Sequence, residues 1–138
     1  MALDVKKVEY FNITVDGHAE VGGKLLTIFA GAGVSLLAFK AVPAGPDRTR
    51  FSLFPDDSST MKDGAQKAGL TLDGPYTAVI VKGYNDEPGE CAAVHEKISR
   101  AGITMIESSG FADIKDSYGM ILYLDQEDCE RAMEALSR

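Results

Sequence analysis

The fold is decided by the stretch YTAVIVKGYNDEPGECAAVHEKISRAGIT, which runs from Tyr76 to Thr104. Its first part is apolar at every position from Ala78 to Val81, which is typical of a strand in the middle of a sheet. After a turn, apolar residues recur with the spacing of a helix that buries one face. Gly102 follows the last of them, where helices commonly end. The stretch therefore predicts a strand, a turn and a helix in succession. The predicted buried helix positions are Cys91, Val94, Ile98 and Ala101.

A second copy of this pattern lies 69 residues earlier in the chain. Ala32-Gly33-Val34-Ser35 matches Ala101-Gly102-Ile103-Thr104, and Phe51–Phe54 matches Met120–Tyr123 at the same separation. The match rests on polarity and on the placement of glycine. We therefore predict one structural unit used twice, with residues 1–74 as the first unit and residues 75–138 as the second.

Each copy is predicted to fold as strand, helix, strand, strand and helix, from its apolar periodicity and its turn residues. The first copy adds a short fourth strand at residues 70–73, whereas the second copy ends at its last helix and lacks its own fourth strand. This order is the split βαβ or ferredoxin-like arrangement, an α+β fold whose antiparallel sheet has both helices on one face. The uncovered sheet face and edges predict that the units pair and that the chain forms a homodimer. The other predicted strands are 8–15, 35–42, 48–54, 76–82, 104–111 and 118–124, and the predicted helices are 23–32, 58–68, 86–101 and 125–136.

Composition limits the classes of partner. The chain of 138 residues is 45% apolar and 25% charged, which predicts a soluble globular protein. It has only two cysteines, and it carries charges where a signal peptide would be apolar. We therefore predict that the protein is cytoplasmic. The net charge is −7, and residues 70–138 carry all of it, with six basic and thirteen acidic side chains. An acidic surface repels nucleic acid and anionic membranes. The expected partners are small molecules or other protein subunits.

The turn at Asp86-Glu87-Pro88-Gly89 is the strongest candidate for chemistry. Backbone N–H groups at a helix start, together with the positive end of the helix dipole, suit a ligand carboxylate. The alternative is structural, with Asp86 as the helix cap and Pro88 in the first turn, where its missing N–H costs nothing. Residue types alone leave both interpretations open.

This turn, the helix ending at Gly102-Ile103-Thr104 and the βαββαβ order resemble the ACT domain family, whose members are small-molecule regulatory modules. The resemblance covers nearly the whole chain as two tandem ACT-like units, and it implies a regulatory protein that is not an enzyme. It further implies that the ligand is an amino acid bound where two units meet, next to the loop after the first strand. On this sequence that loop corresponds to Asn85, Asp86, Glu87, Pro88 and Gly89.

The first copy departs from the family pattern, because its loop from Asp16 to Gly23 contains three glycines and no proline. The candidate ligand-binding residues there are Asp16, Gly17 and His18. Glycine would let the backbone approach a ligand closely. The alternatives are that this copy binds nothing and only pairs structurally, and that His18 is an ordinary exposed loop histidine.

The sequence gives only weak signals for metal binding or catalysis. Cys91 and His95 have the spacing to present two metal ligands from one helix face, but no second Cys/His pair exists, so no metal and no cofactor are predicted. We predict a sensor without catalytic activity that passes its signal to an unidentified protein partner. The alternatives are a purely structural pairing module, or a small dimeric ferredoxin-like enzyme with a pocket between sheet and helices. The enzyme would gather polar groups such as His18, Tyr84 and Arg50 in that pocket.

Overall fold

The computed structural model describes residues 3–84, 88–112 and 117–137. The described strand pairs are antiparallel, and helices pack together in α1–α2 and α3–α4 pairs. The predicted α+β class, with tandem ferredoxin-like ACT-like units, is confirmed. In chain order the elements are β1 (Leu3–Asp16), α1 (Gly22–Gly31), β2 (Leu36–Pro43), β3 (Arg48–Pro55), α2 (Ser58–Ala68), β4 (Asp73–Gly83), α3 (Glu90–Arg100), β5 (Met105–Ala112), β6 (Tyr118–Leu124) and α4 (Cys129–Leu136), with 3-10 turns at Ala19–Val21 and Gln126–Asp128.

The described residues form two compact units, and β1 and β4 contribute to both of them. The N-unit is Glu9–Tyr76, and the C-unit combines the described parts of Met1–Val8 and Thr77–Arg138. Residues 3–8 are therefore part of the C-unit, together with α4. The predicted division between residues 74 and 75 stays a prediction.

In the N-unit, β3 lies between β2 and β1 and pairs with both. The register places Phe11 of β1 and Phe39 of β2 on either side of Leu53. Because side chains alternate between the two faces of a strand, the odd-numbered residues of β1 and β3 share the face that α1 and α2 cover. The buried core on this face consists of Phe11, Ile13, Leu25, Phe29, Val34, Phe51, Leu53, Met61 and Ala65.

In the C-unit, the strand order is β1-β4-β6-β5, so that residues 3–8 of β1 supply the strand beside β4. Two polar contacts hold this strand: Lys7 Nζ lies 2.6 Å from Glu130 Oε1, and the Tyr84 hydroxyl donates to the Asp4 carboxylate. Leu3 and Val5 pack against the core. That core consists of Val79, Val81, Val94, Ile98, Ile103, Tyr118, Met120, Leu122, Leu124, Cys129, Ala132 and Leu136.

Several element boundaries differ from the predictions, among them the start of β1, which begins at Leu3 instead of residue 8. Residues 70–72 are not a strand: Leu70 and Leu72 pack against the N-unit core, and β4 begins at Asp73. The helix expected from residue 86 begins at Glu90, because Gly89 has a left-handed backbone with φ 95° and cannot continue a helix. The last helix starts with a 3-10 turn, and α4 proper begins at Cys129. No helix among the described residues has the length and apolar character to cross a membrane.

Candidate functional site

The loop after β1 is fixed to the turn between β2 and β3 by hydrogen bonds to Gly17. The Gly17 N–H donates to the Asp47 carbonyl at 2.7 Å, and the Gly17 carbonyl accepts from Thr49 Oγ1 at 2.8 Å. Gly17 has φ 104°, and a Cβ there would lie 2.6 Å from Val21 Cγ1. Only glycine therefore fits this position without strain. Both the N–H and the carbonyl of Gly17 are hydrogen-bonded, so the predicted loop is held in place at this residue.

His18 adds a third link between the same two segments. Its Nε2 lies 3.2 Å from the carbonyl oxygen of Pro46. Because a carbonyl can only accept, His18 Nε2 carries the proton in this contact. In the neutral ring the other nitrogen is then a free acceptor. The contact with Pro46 positions the His18 ring. The side chain remains exposed, and the residue lies immediately before the 3-10 turn.

A surface cleft of 360 Å³ opens between these segments within the N-unit. We call it the β2–β3 cleft. Its walls come from the end of β2, the turn that follows, the start of β3 and the loop after β1. The lining residues are His18, Ala19, Ala41, Val42, Pro43, Gly45, Pro46, Arg48 and Thr49.

Among the described residues that line the β2–β3 cleft, Arg48 is the one with a formally charged side chain, and that side chain contacts Asp16 outside the cleft. Arg48 Nε lies 3.7 Å from Asp16 Oδ1, and the Asp16 side chain is 98% exposed. An exposed ion pair at this distance contributes little to stability, because water screens it and both side chains lose freedom. The guanidinium can therefore exchange Asp16 for another carboxylate at small cost.

The predicted residues of the C-unit are only partly described. Asn85, Asp86 and Glu87 lie outside the described residues, and Pro88 and Gly89 are exposed. Gly89 is the N-cap of α3 and provides no side-chain cap. The implied ligand position where two units meet stays a prediction, as do the roles of all eight predicted ligand-binding residues.

Three predicted site residues, Asp16, Gly17 and His18, lie at or beside the β2–β3 cleft. Sequence reasoning missed the lining residues from β2 and β3, Arg48 and Thr49 among them. Residues 43–47 were recognisable as a turn, but nothing in the sequence shows that this turn meets the loop after β1. Only the hydrogen bonds to Gly17 and His18 reveal that.

The other chemical candidates make structural contacts. His95 contacts the Cys91 carbonyl through Nδ1 at 2.8 Å and Ser108 Oγ through Nε2 at 3.0 Å. The described residues contain no group of three or more metal-ligating side chains. Of the residues proposed for the enzyme alternative, His18 lines the β2–β3 cleft and Arg50 does not. The hydrogen bond from Tyr84 to Asp4 raises the pKa of the Tyr84 phenol, so this phenol stays protonated at neutral pH and its O–H is already donated to Asp4.

Solved structures with this fold are numerous, and three illustrate its range. A Bacteroides thetaiotaomicron protein, BT0572, superimposes with a TM-score of 0.80 at 14% identity, over 96% of this chain and 88% of that one. The regulatory subunit of aspartate kinase from Thermus thermophilus matches with a TM-score of 0.66 at 16% identity, over 99% and 93%. A putative C-terminal regulatory domain of aspartate kinase from Porphyromonas gingivalis W83 matches with a TM-score of 0.61 at 18% identity, over 99% and 95%.

No protein family model matches the sequence, and no curated protein matches it either. Identities of 14–18% are too low to carry function across, so these similarities establish the fold. Two of the three similar structures are described as regulatory parts of an enzyme. The chain has the tandem ACT-like fold of the aspartate kinase regulatory subunits.

Proposed function

We propose that this protein is a regulatory sensor without catalytic activity that binds a free amino acid. The fold supports this, because similar structures include a regulatory subunit and a regulatory domain of aspartate kinase. The proposal assigns ligand binding to Asp16, Gly17 and His18 in the N-unit. It keeps the loop from Asn85 to Gly89 as a second candidate.

The single observation that carries this proposal is the β2–β3 cleft beside a predicted binding loop. Arg48 is one of the lining residues, and its guanidinium is only loosely engaged by Asp16, which lies outside the cleft. A carboxylate is the natural partner of a guanidinium, because two parallel N–H···O bonds fit its geometry. A free amino acid provides that carboxylate together with a short side chain for the rest of the cleft.

Binding would act on the protein by favouring one arrangement of the loop after β1. Three hydrogen bonds, from Gly17, His18 and Thr49, already join this loop to the β2–β3 turn. A ligand that contacts both the loop and the turn would stabilise the arrangement in which they are joined. The size of this effect depends on how much more tightly the ligand binds that arrangement than any other. The output would be read by a second protein in the cytoplasm.

The proposal includes a homodimer. Large apolar side chains are exposed on two strands, with Phe39 on β2 and Ile106 and Phe111 on β5. Phe111 is 69% exposed, and burying side chains of this kind between two copies would favour association. A pairing module without a ligand would dimerise equally well whether or not an amino acid is added. Sedimentation velocity with and without the ligand separates these two possibilities.

The test of the function is thermal unfolding of the full chain in the presence of each common amino acid, followed by calorimetric titration of those that raise the midpoint. A ligand present at 100 times its Kd stabilises the folded state by about 2.7 kcal/mol. We expect at least one amino acid to raise the midpoint and to bind with measurable heat. If none does so at millimolar concentration, the proposed function is wrong.

A further inference from the structure

In the C-unit, the contact between α3 and β5 joins a histidine to an exposed serine. We infer that Ser108 is a nucleophilic serine, activated by His95, that accepts an acyl group from an activated ester or thioester. The inference goes beyond the proposed function, because it places a covalent modification site in the C-unit, whereas the β2–β3 cleft belongs to the N-unit.

The fold of the C-unit brings the two side chains together. His95 follows buried Val94 on α3 and is itself half-buried. Ser108 pairs in register with Leu122, which belongs to the same core cluster as Val94. Because paired residues share one face of a sheet, the Ser108 side chain lies on the face that α3 covers. As a result, His95 Nε2 and Ser108 Oγ are 3.0 Å apart.

The hydrogen bonds of His95 determine which ring nitrogen can act as a base. Nδ1 lies 2.8 Å from the Cys91 carbonyl oxygen, and since a carbonyl can only accept, Nδ1 carries a proton. In the neutral imidazole Nε2 is then unprotonated, and it accepts the hydrogen bond that the Ser108 hydroxyl donates. A nucleophile, a base within hydrogen-bond distance and a third group that orients the base are the arrangement that activates a serine.

The strand that carries Ser108 also provides backbone donors beside it. Among the described strands, β5 is the last in the sheet order and pairs with β6 on one side. N–H groups along an antiparallel strand point alternately to its two sides, so either the N–H of Ser108 or those of both its neighbours point away from β6. Such a donor can hydrogen-bond to the carbonyl oxygen of an acyl donor and stabilise the charge that develops there.

The covalent step balances with the acyl donor as the single co-reactant. Ser108 Oγ attacks the carbonyl carbon, and its proton passes to His95 Nε2. The new bond from oxygen to carbon replaces the bond from that carbon to the oxygen or sulfur of the donor. The leaving alkoxide or thiolate takes the proton from His95, which returns to its neutral form. The product is one acyl ester on the chain, so the step modifies the protein and requires no turnover.

The test is treatment of the full chain with p-nitrophenyl acetate, with acetylation of each side chain followed by site-resolved peptide mass spectrometry. We expect acetylation of Ser108. In His95→Gln, loss of the base should slow this acetylation by about 100-fold or more. The matched control is Ser109→Ala, because Ser109 is an exposed neighbour on the other face of β5, and Ser108 should react there as in the parent chain. Midpoints of thermal unfolding verify that both variants are folded.

Two results would overturn the inference. One is acetylation of Ser108 that is no faster than acetylation of Ser109 in the parent chain. The other is an unchanged rate at Ser108 in His95→Gln, which would mean that the imidazole does not act as a base. Peptide mapping separates both results from acetylation of the exposed Cys91 thiol. Failure of this inference leaves the proposed function intact, since amino-acid binding is measured by separate titrations and does not require Ser108.

Discussion

Thr49 of β3 and Tyr118 of β6 occupy equivalent positions in the two units, 69 residues apart in the chain. Their strand partners, Pro43 and Ala112, are separated by the same number of residues. Thr49 is small and donates its hydroxyl hydrogen to the Gly17 carbonyl. Tyr118 is only 3% exposed, and its ring lies so close to Gly83 that a Cβ there would be 2.2 Å from it.

The difference shows how two copies of one unit can diverge. The small side chain of Thr49 lines an open cleft, and its hydroxyl holds the loop after β1 through the hydrogen bond to Gly17. The large ring at Tyr118 is used as core, packed against a glycine that leaves room for it. We expect the N-unit to be the ligand-binding copy and the C-unit to be specialised for packing.

The largest effect should come from deleting residues 1–8, since part of this segment belongs to the C-unit. The deletion removes buried Val8, the partly buried Leu3 and Val5, and the contact between Lys7 and Glu130. The C-unit should lose about 3–5 kcal/mol of stability. Hydrogen exchange should show lost protection across residues 77–84, 88–112 and 117–137, with residues 9–76 much less affected. Equal loss in both units would contradict the division, and Lys6→Ser, at an exposed position, is the control.

The next largest effect tests the packing of Tyr118 directly. Gly83→Ala places a methyl group 2.2 Å from the buried ring, so the ring or the strand must shift. We expect a loss of about 1–3 kcal/mol in the free energy of unfolding, measured with urea. Gly23→Ala is the control, because among the described residues no atom beyond its chain neighbours and its own helix backbone lies within 4 Å of the new Cβ. That change should be neutral or stabilising by about 0.4–1 kcal/mol. Equal effects from the two substitutions would mean that the ring does not constrain Gly83.

A smaller effect is expected at the equivalent place in the N-unit. Thr49→Val keeps the shape of the side chain but removes the donor to the Gly17 carbonyl. The loss should be about 1 kcal/mol in the free energy of unfolding, together with weaker ligand binding because the loop is less well held. Thr49→Ser retains the hydroxyl and should restore both. Unchanged binding in Thr49→Val would show that the loop needs no such anchor.

The smallest effect concerns the caps of the second helix in each unit. The pKa of Asp57 is lowered by the Ser59 hydroxyl first and then by the backbone N–H groups of Thr60 and Ser59. Because its folded pKa lies below its unfolded value, Asp57 contributes stability above the unfolded pKa, and this is lost as pH falls through the folded pKa. Asp57→Asn should therefore flatten the acid limb of the stability curve. Asp125, at the matching place in the C-unit, makes no side-chain cap, so Asp125→Asn removes no capping hydrogen bond and should change the free energy of unfolding less than Asp57→Asn does.

Much of the fold was predictable because local patterns determine it. Both ends of the strand at Tyr118–Leu124 were predicted correctly. The helix α2 also ends where predicted, and Gly69 follows it with a left-handed φ of 71°. The first strand was predicted too short because charges at Asp4, Lys6 and Lys7 obscured the alternation of Leu3 and Val5. That these residues pack in the C-unit depends on contacts with residues more than 70 positions away, which no local pattern shows.

The candidate site was predictable only in part for a similar reason. Asp16, Gly17 and His18 follow from the repeat, since they occupy the loop equivalent to residues 85–87. Arg48 could not be found in this way, because its place in the β2–β3 cleft results from the register of β3 against β1 and β2. The equivalent residue in the other copy is Ser117, so the repeat gives no hint of a guanidinium.

The most direct test is a titration of the ¹⁵N-labelled full chain with the tightest-binding amino acid, followed by amide chemical shifts. The largest shifts should occur at Gly17, His18, Ala19 and Thr49, and they should saturate at one ligand per chain. Largest shifts at Gly89–Cys91 instead, or saturation at two ligands per chain, would contradict the assignment of binding to the N-unit cleft.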